Sequence, residues 1–165
     1  LEMNRKQIIA IEVEDKPGVL SRISTLFSRR GYNIESLTVG HTHKAGISRF
    51  TIVVEGDDAT MEQIRKQSQK LINVLTTENL EKEKSILREF AIVKCKYDME
   101  SSIAINEMVD LYGGRMLDSN NEILIVEFSG TEAKIDQVFS DLKRFTVLES
   151  LRTGKIGMSS GRRQK

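Results

Sequence analysis

Cys95 is the only cysteine in this chain of 165 residues, so no intrachain disulfide framework can hold it together. Such sparing use of cysteine fits a reducing compartment, and a cytoplasmic location is the expectation. No apolar run approaches the roughly 18 residues of a membrane-spanning helix, so no membrane association is expected. The opening residues, Leu1-Glu2-Met3-Asn4-Arg5-Lys6, lack the apolar core of a secretory signal, and Met3 is the expected natural start. Tryptophan is absent and aromatic residues make up only 5%. Neither sign of charge is in excess, because 25 Lys and Arg stand against 24 Asp and Glu. No half of the chain is basic enough to suggest a nucleic-acid face. A local exception is the C-terminus, where Arg152, Lys155, Arg162, Arg163 and Lys165 occur without an acid. A solvated, frayed end is the expectation there.

The signatures of catalysis are missing as well. There is no Walker-type phosphate loop, no Gly-x-Gly-x-x-Gly after a strand and no Gly-x-Ser-x-Gly elbow. Cys95 falls in an apolar strand pattern and reads as structural. His41 and His43 are the only histidines, and their spacing at a strand end would put both rings on one side. Two ligands are too few for a metal centre without further donors, so they read as solvated loop residues. Asp57 and Asp58 stand where a helix cap belongs.

What is present is a regular alternation of strands and helices. Residues 7–14 set Ile9, Ile11 and Val13 against Ala10, Glu12 and Glu14, the period of a half-buried strand. Pro17 suits the first turn of a helix. That helix carries Val19, Leu20, Ile23, Leu26 and Phe27 in one apolar stripe and stops at Arg29-Arg30-Gly31. Residues 33–43 read as a second strand and 41–46 as its hairpin loop. Phe50, Ile52 and Val54 form one face of a third strand. A second helix buries Met61, Ile64, Leu71 and Ile72, and residues 74–80 make a fourth strand. The order βαββαβ is the ferredoxin-like pattern.

A charged break at residues 81–85 is the candidate linker, and the same order then repeats. Strand 90–97, a helix with Ile105, Met108, Val109 and Tyr112, and the stop Gly113-Gly114 come first. Strands 115–119 and 122–128, a helix capped by Thr131 and a strand at 146–152 follow. The expected class is α+β, with two ferredoxin-like domains at 1–82 and 83–165. Such folds can bind RNA by stacking bases on aromatics of the central strands, but Phe50 is nearly alone there.

Most of the functional content lies in Asp15-Lys16-Pro17-Gly18-Val19-Leu20. A strand ends at an acid, turns through Pro-Gly and opens directly into a helix. Free N–H groups around Gly18, Val19 and Leu20 can hold a carboxylate, and Gly18 permits close approach. Asp15 can accept from an ammonium group or cap the helix. An ordinary strand-to-helix connection accounts for the bare pattern equally well.

This turn resembles the signature of ACT domains, small ferredoxin-like modules that bind amino acids at dimer interfaces. The longer string is more specific. Gly18-Val19-Leu20-Ser21-Arg22-Ile23, Leu26-Phe27-Ser28, the run from Arg30 to Val39 and Ser48-Arg49-Phe50-Thr51 closely resemble the small, regulatory subunit of acetolactate synthase (acetohydroxyacid synthase). Gln63-Ile64, Lys70-Leu71, Arg88-Glu89-Phe90 and the segment from Thr153 to Gly161 extend the likeness over essentially the whole chain.

The resemblance implies a non-catalytic subunit that stimulates a separate catalytic chain and confers feedback inhibition by valine, with leucine and isoleucine as variants. It implies that thiamine diphosphate, Mg²⁺ and FAD belong to the catalytic subunit and that this chain binds no cofactor. It also implies a homodimer through the ACT domains, with the effector between protomers. By match to the family's motif, the effector-binding residues are Asp15, Pro17, Gly18, Val19 and Leu20, with Asn33 and Ile34 supplied by the partner chain. The family's turn usually reads Asn-x-x-Gly, whereas here it is Asp15-x-x-Gly18. The alternative is a stand-alone amino-acid- or metal-responsive regulator of ACT type.

Overall fold

The computed structural model describes residues 5–161. Its contacts divide the chain into two compact units. One holds the residues up to 87 together with those from 155 onward, and the other holds residues 88–154.

The first unit runs β1 (Arg5–Glu14), α1 (Val19–Arg29), β2 (Ile34–His41), β3 (Ile47–Gly56), α2 (Asp58–Ser68) and β4 (Val74–Asn79). The strands form one antiparallel sheet in the order β2-β3-β1-β4. Alternation along β1 and β3 sends Ile9, Ile11, Val13, Phe50, Ile52 and Val54 to one face, where they pack against Ile23 and Phe27 of α1 and Met61 and Ile64 of α2. Ile8, Ala10 and Val53 point to the other face and cluster with Leu80 and Leu87. Asp57 caps α2, its carboxylate accepting from the Thr60 N–H at 2.7 Å.

The second unit repeats the plan. β5 (Ser85–Lys96), α3 (Ser102–Leu111), β6 (Arg115–Ser119), β7 (Ile123–Gly130), α4 (Glu132–Leu142) and β8 (Val147–Arg152) follow in order. The sheet order is β6-β7-β5-β8, with the same crossover pattern as before. Phe128, Leu124, Ile105, Met108 and Ile135 fill its core with the buried Cys95. The two ferredoxin-like repeats are thus the observed architecture. No helix among the described residues is long and apolar enough to cross a membrane.

Several local expectations need correction. α2 ends at Ser68, so Leu71 and Ile72 lie beyond it. Leu71 still packs on the core, but Ile72 is 74% exposed because the chain turns there into Asn73, whose φ is 75°. The charged break is shorter than expected: Lys82–Lys84 form a single 3-10 turn and β5 starts at Ser85. The C-terminal segment is not frayed over its described part. Arg152 pairs with the buried Glu89 and with Asp136, and Lys155 is only 3% exposed. Gly154, at φ 78°, reverses the chain into β9 (Ile156–Ser159), a strand the sequence did not announce. β9 pairs with β5 and groups with the first unit, whereas the sequence boundary assigned it to the second. A Cβ on Gly157 would meet Leu87 Cδ2 at 2.4 Å and the Ile86 carbonyl at 3.0 Å, which explains the glycine. Met3, Arg162, Arg163 and Lys165 lie outside the described residues.

Candidate functional site

The Pro-Gly turn is a type II β-turn. Pro17 presets the second position, Gly18 takes the third at φ 83°, ψ −5°, and the Val19 N–H closes it onto the Lys16 carbonyl at 3.3 Å. Two expectations change as a result. Pro17 stands outside α1, in the turn that precedes it. The Val19 amide is already engaged. The N–H groups of Gly18, Leu20 and Ser21 have no acceptor among the described residues. The Gly18 carbonyl starts the helix by accepting from the Arg22 N–H at 3.0 Å. No side chain caps this helix, so its positive end stays open. Leu20 is 48% exposed beside the turn and contributes little to the core stripe.

Around the turn lies a polar network joined across distant segments. Glu14 ends β1 with its N–H on the Asn73 carbonyl at 2.9 Å, and Asp15 donates its N–H to the Gly46 carbonyl at 2.8 Å. The Asn73 side chain donates to Glu14 Oε2 at 2.6 Å and accepts from Arg22 Nη2 at 2.8 Å. Lys16 Nζ is 2.8 Å from the same Glu14 oxygen. Hydrogen bonds from Lys16 and then Asn73 hold the Glu14 carboxyl below its usual pKa. Arg22 Nη1 lies 3.8 Å from where a Gly18 Cβ would be, so a guanidinium stands beside the open amides. Asp15 is half-exposed, with His41 Nδ1 at 3.5 Å, and that nitrogen is 3.4 Å from Ser48 Oγ. His43 is exposed in the following loop. Among the described residues no three His, Cys, Asp or Glu side chains converge as a metal site would require.

Asp15, Pro17, Gly18, Val19 and Leu20 are therefore together, and Asn33 and Ile34 are not with them. The latter follow the far end of the 11-residue α1, about 16 Å along its axis. Asn33 is exposed, and Ile34 is partly buried against the first unit's core, paired with Val54 in the sheet. One bound amino acid cannot reach both ends of α1 in a single chain. Sequence reading missed Glu14, Ser21, Arg22 and Asn73. The only local signal was an asparagine ahead of β4, a residue that tolerates left-handed backbone. Its pairing with Arg22 and Glu14 is non-local.

The equivalent turn in the second unit is arranged differently just ahead of its helix. The Asp98 carboxylate accepts from the Ser101 N–H at 3.0 Å and the Ser101 hydroxyl at 2.8 Å. The Ser102 N–H donates to the Asp98 carbonyl at 2.9 Å. The Ser101 bonds, with Lys96 adding to them, bring the Asp98 pKa down to about 2. The chain's own carboxylate thus takes the N–H just ahead of the helix, the counterpart of Gly18, while the N–H groups of Ile103 and Ala104, the counterparts of Leu20 and Ser21, have no acceptor among the described residues and no side chain caps α3.

Comparison with known proteins covers nearly the whole chain. Residues 9–76 match a family model described as "AHAS small subunit-like ACT domain", and residues 88–161 match one described as "Small subunit of acetolactate synthase". The acetolactate synthase small subunit of Mycolicibacterium smegmatis is 41% identical over 94% of this chain and 91% of its own. A probable small subunit from Methanothermobacter thermautotrophicus is 43% identical, covering 94% of each. The crystal structure of the Thermotoga maritima small subunit superposes with a TM-score of 0.91 at 36% identity, covering 96% of this chain and 99% of that one.

Proposed function

The chain belongs to the family of acetolactate synthase small subunits, and from that premise we propose that it stimulates the catalytic subunit and makes it sensitive to valine. The coarse role is that of the regulatory, non-catalytic subunit in branched-chain amino-acid biosynthesis. The condensation chemistry and its thiamine diphosphate, Mg²⁺ and FAD reside on the catalytic partner.

The observation that carries the effector reading is the row of unpartnered N–H groups at Gly18, Leu20 and Ser21, with Arg22 beside it. A carboxylate fits there, on hydrogen bonds that the helix's positive end strengthens. The ammonium group falls to Asp15, and Leu20 supplies apolar contact. Asn33 and Ile34 then belong to the site only when a second copy brings the far end of its own α1 alongside, so the effector bridges a homodimer. The edge position of β2, and the separation of the two halves along α1, support that arrangement. Binding shifts the complex toward a less active population, with a coupling of roughly 1–3 kcal/mol. Choice among valine, leucine and isoleucine turns on methylene-sized differences, each about 1–3 kcal/mol.

The test is co-purification with the catalytic subunit, followed by pyruvate condensation with and without valine. Stimulation by this chain, and inhibition that appears only in its presence, are expected. A catalytic subunit indifferent to the chain would overturn the regulatory reading. Stimulation without valine sensitivity would overturn the effector reading alone.

A further inference from the structure

The exposed face of α3 is unlike that of the other helices. Its exposed residues are Ile103, Glu107, Asp110 and Leu111, and at 100° per residue they fall on one arc opposite the buried Ile105, Met108 and Val109. Ile103 is 70% exposed and Leu111 is 74% exposed. Met99, ahead of the helix, extends the same stripe. By contrast the exposed residues of α1 are Leu20, Ser21, Arg22, Thr25, Ser28 and Arg29, and those of α4 are Ala133, Asp136, Gln137 and Ser140. Those are ordinary solvated faces with at most one large aliphatic.

The charge on the α3 face is also one-sided. Residues 97–114 contain no Lys, Arg or His, but they contain Asp98, Glu100, Glu107 and Asp110. Asp98 is occupied by Ser101 and Lys96. The carboxylates of Glu100, Glu107 and Asp110 meet no cation among the described residues. A chain with nearly balanced charge therefore presents one helix whose outer side is aliphatic side chains set among unneutralised acids. Apolar side chains at the centre of an interface give affinity, and charges around them give orientation and association rate.

We propose that this face of α3 is the surface through which the chain docks on its catalytic subunit, against a patch of apolar side chains flanked by Lys and Arg. The assignment rests on the regulatory reading above. The complementary charge decides between occupants, because a second copy would bring acids against acids. The surface belongs to the second unit and the effector turn to the first, so docking and effector binding are separable by mutation.

The test uses the full chain carrying Ile103→Lys with Leu111→Lys, and a second variant carrying Glu107→Lys with Asp110→Lys. Each is compared with wild type for half-maximal stimulation of the catalytic subunit, for valine binding by calorimetry and for mass by light scattering. Both variants are expected to need at least tenfold more protein for half-maximal stimulation, with valine affinity and mass unchanged. The wild-type dependence should weaken as salt rises from about 0.05 to 0.5 M, since exposed charges are screened. Unchanged stimulation by the Ile103/Leu111 variant overturns the proposal. A wild-type mass that falls in either variant also overturns it, because the face would then be covered by a second copy. If the wild-type chain itself gives no stimulation, the regulatory reading has failed, which is a different result.

Discussion

Two turns at the same place in the same fold treat the amide just ahead of their helix differently. After β1 the chain passes through Pro17-Gly18 and leaves the N–H groups of Gly18, Leu20 and Ser21 without acceptors among the described residues. After β5 it passes through Asp98 and Ser101, and the Asp98 carboxylate takes the Ser101 N–H just ahead of α3, leaving those of Ile103 and Ala104 open. Topology, strand order and core placement are shared, so none of these makes a binding site. The difference is whether the chain satisfies the N–H just ahead of the helix. In the first turn a glycine in left-handed backbone, with Arg22 and Asn73 beside it, leaves that N–H without an acceptor. The two repeats thus differ at one amide, open at Gly18 and engaged at Ser101.

The sharpest way to break this contrast is Gly18→Asp. The variant puts a carboxylate where the effector's would sit and forces an L-residue to φ 83°, at about 1–2 kcal/mol of strain. Valine inhibition should be lost by more than tenfold in a titration, while stimulation of the catalytic subunit persists. A fully valine-sensitive Gly18→Asp would remove the first turn from the site.

Next comes Asn73→Ala. It deletes the side chain that joins Arg22 to Glu14 and leaves alanine in a left-handed conformation. A loss of about 2–3 kcal/mol in denaturant unfolding is expected from those two effects. Valine affinity should also weaken several-fold, because Arg22 is released. If calorimetry finds affinity unchanged in the folded variant, Arg22 does not act at the site.

Asp98→Ala should do the reverse. It frees the Ser101 N–H ahead of α3 and lowers the unfolding midpoint without altering valine affinity. A new valine site in the second unit would show that open amides suffice, and that the surroundings of the first turn matter less than argued above.

The smallest effect is a pH dependence. The folded-state pKa of Asp98, about 2, lies below its unfolded value near 3.8. Its stabilising contribution is therefore fully present above about pH 4 and fades as pH falls toward 2. Wild type should lose stability through that window more steeply than Asp98→Asn, as read by thermal unfolding at each pH.

The parts of this structure that follow a local period were legible in the sequence. Alternation in β1 and β3 and the stripes of α1 and α3 placed the cores, because burial acts on every second residue of a strand and on one side of a helix. The turn was located as well, since proline and glycine announce it. What was not legible depends on residues far apart. Whether an amide at Gly18, Val19 or Leu20 is free depends on the turn type, and only the closed structure shows the Val19 N–H on Lys16. The Glu14–Asn73–Arg22 network joins residues from three segments. β9 is short and interrupted by Gly157, and its place beside β5 has no signature within its own four residues.

That last strand has a consequence for the order of events in time. Leu80 and Leu87, on the outer side of the first sheet, lie against Gly157, and Arg49 of that sheet donates to the Gly157 carbonyl at 3.2 Å. A ribosome delivers residue 157 after every other element has emerged. The N-terminal unit therefore waits for residues 155–161 before that side of its sheet is closed, while the residues translated in between, 88–154, already hold all that their own core needs. In vectorial synthesis the first half begun is the last half finished.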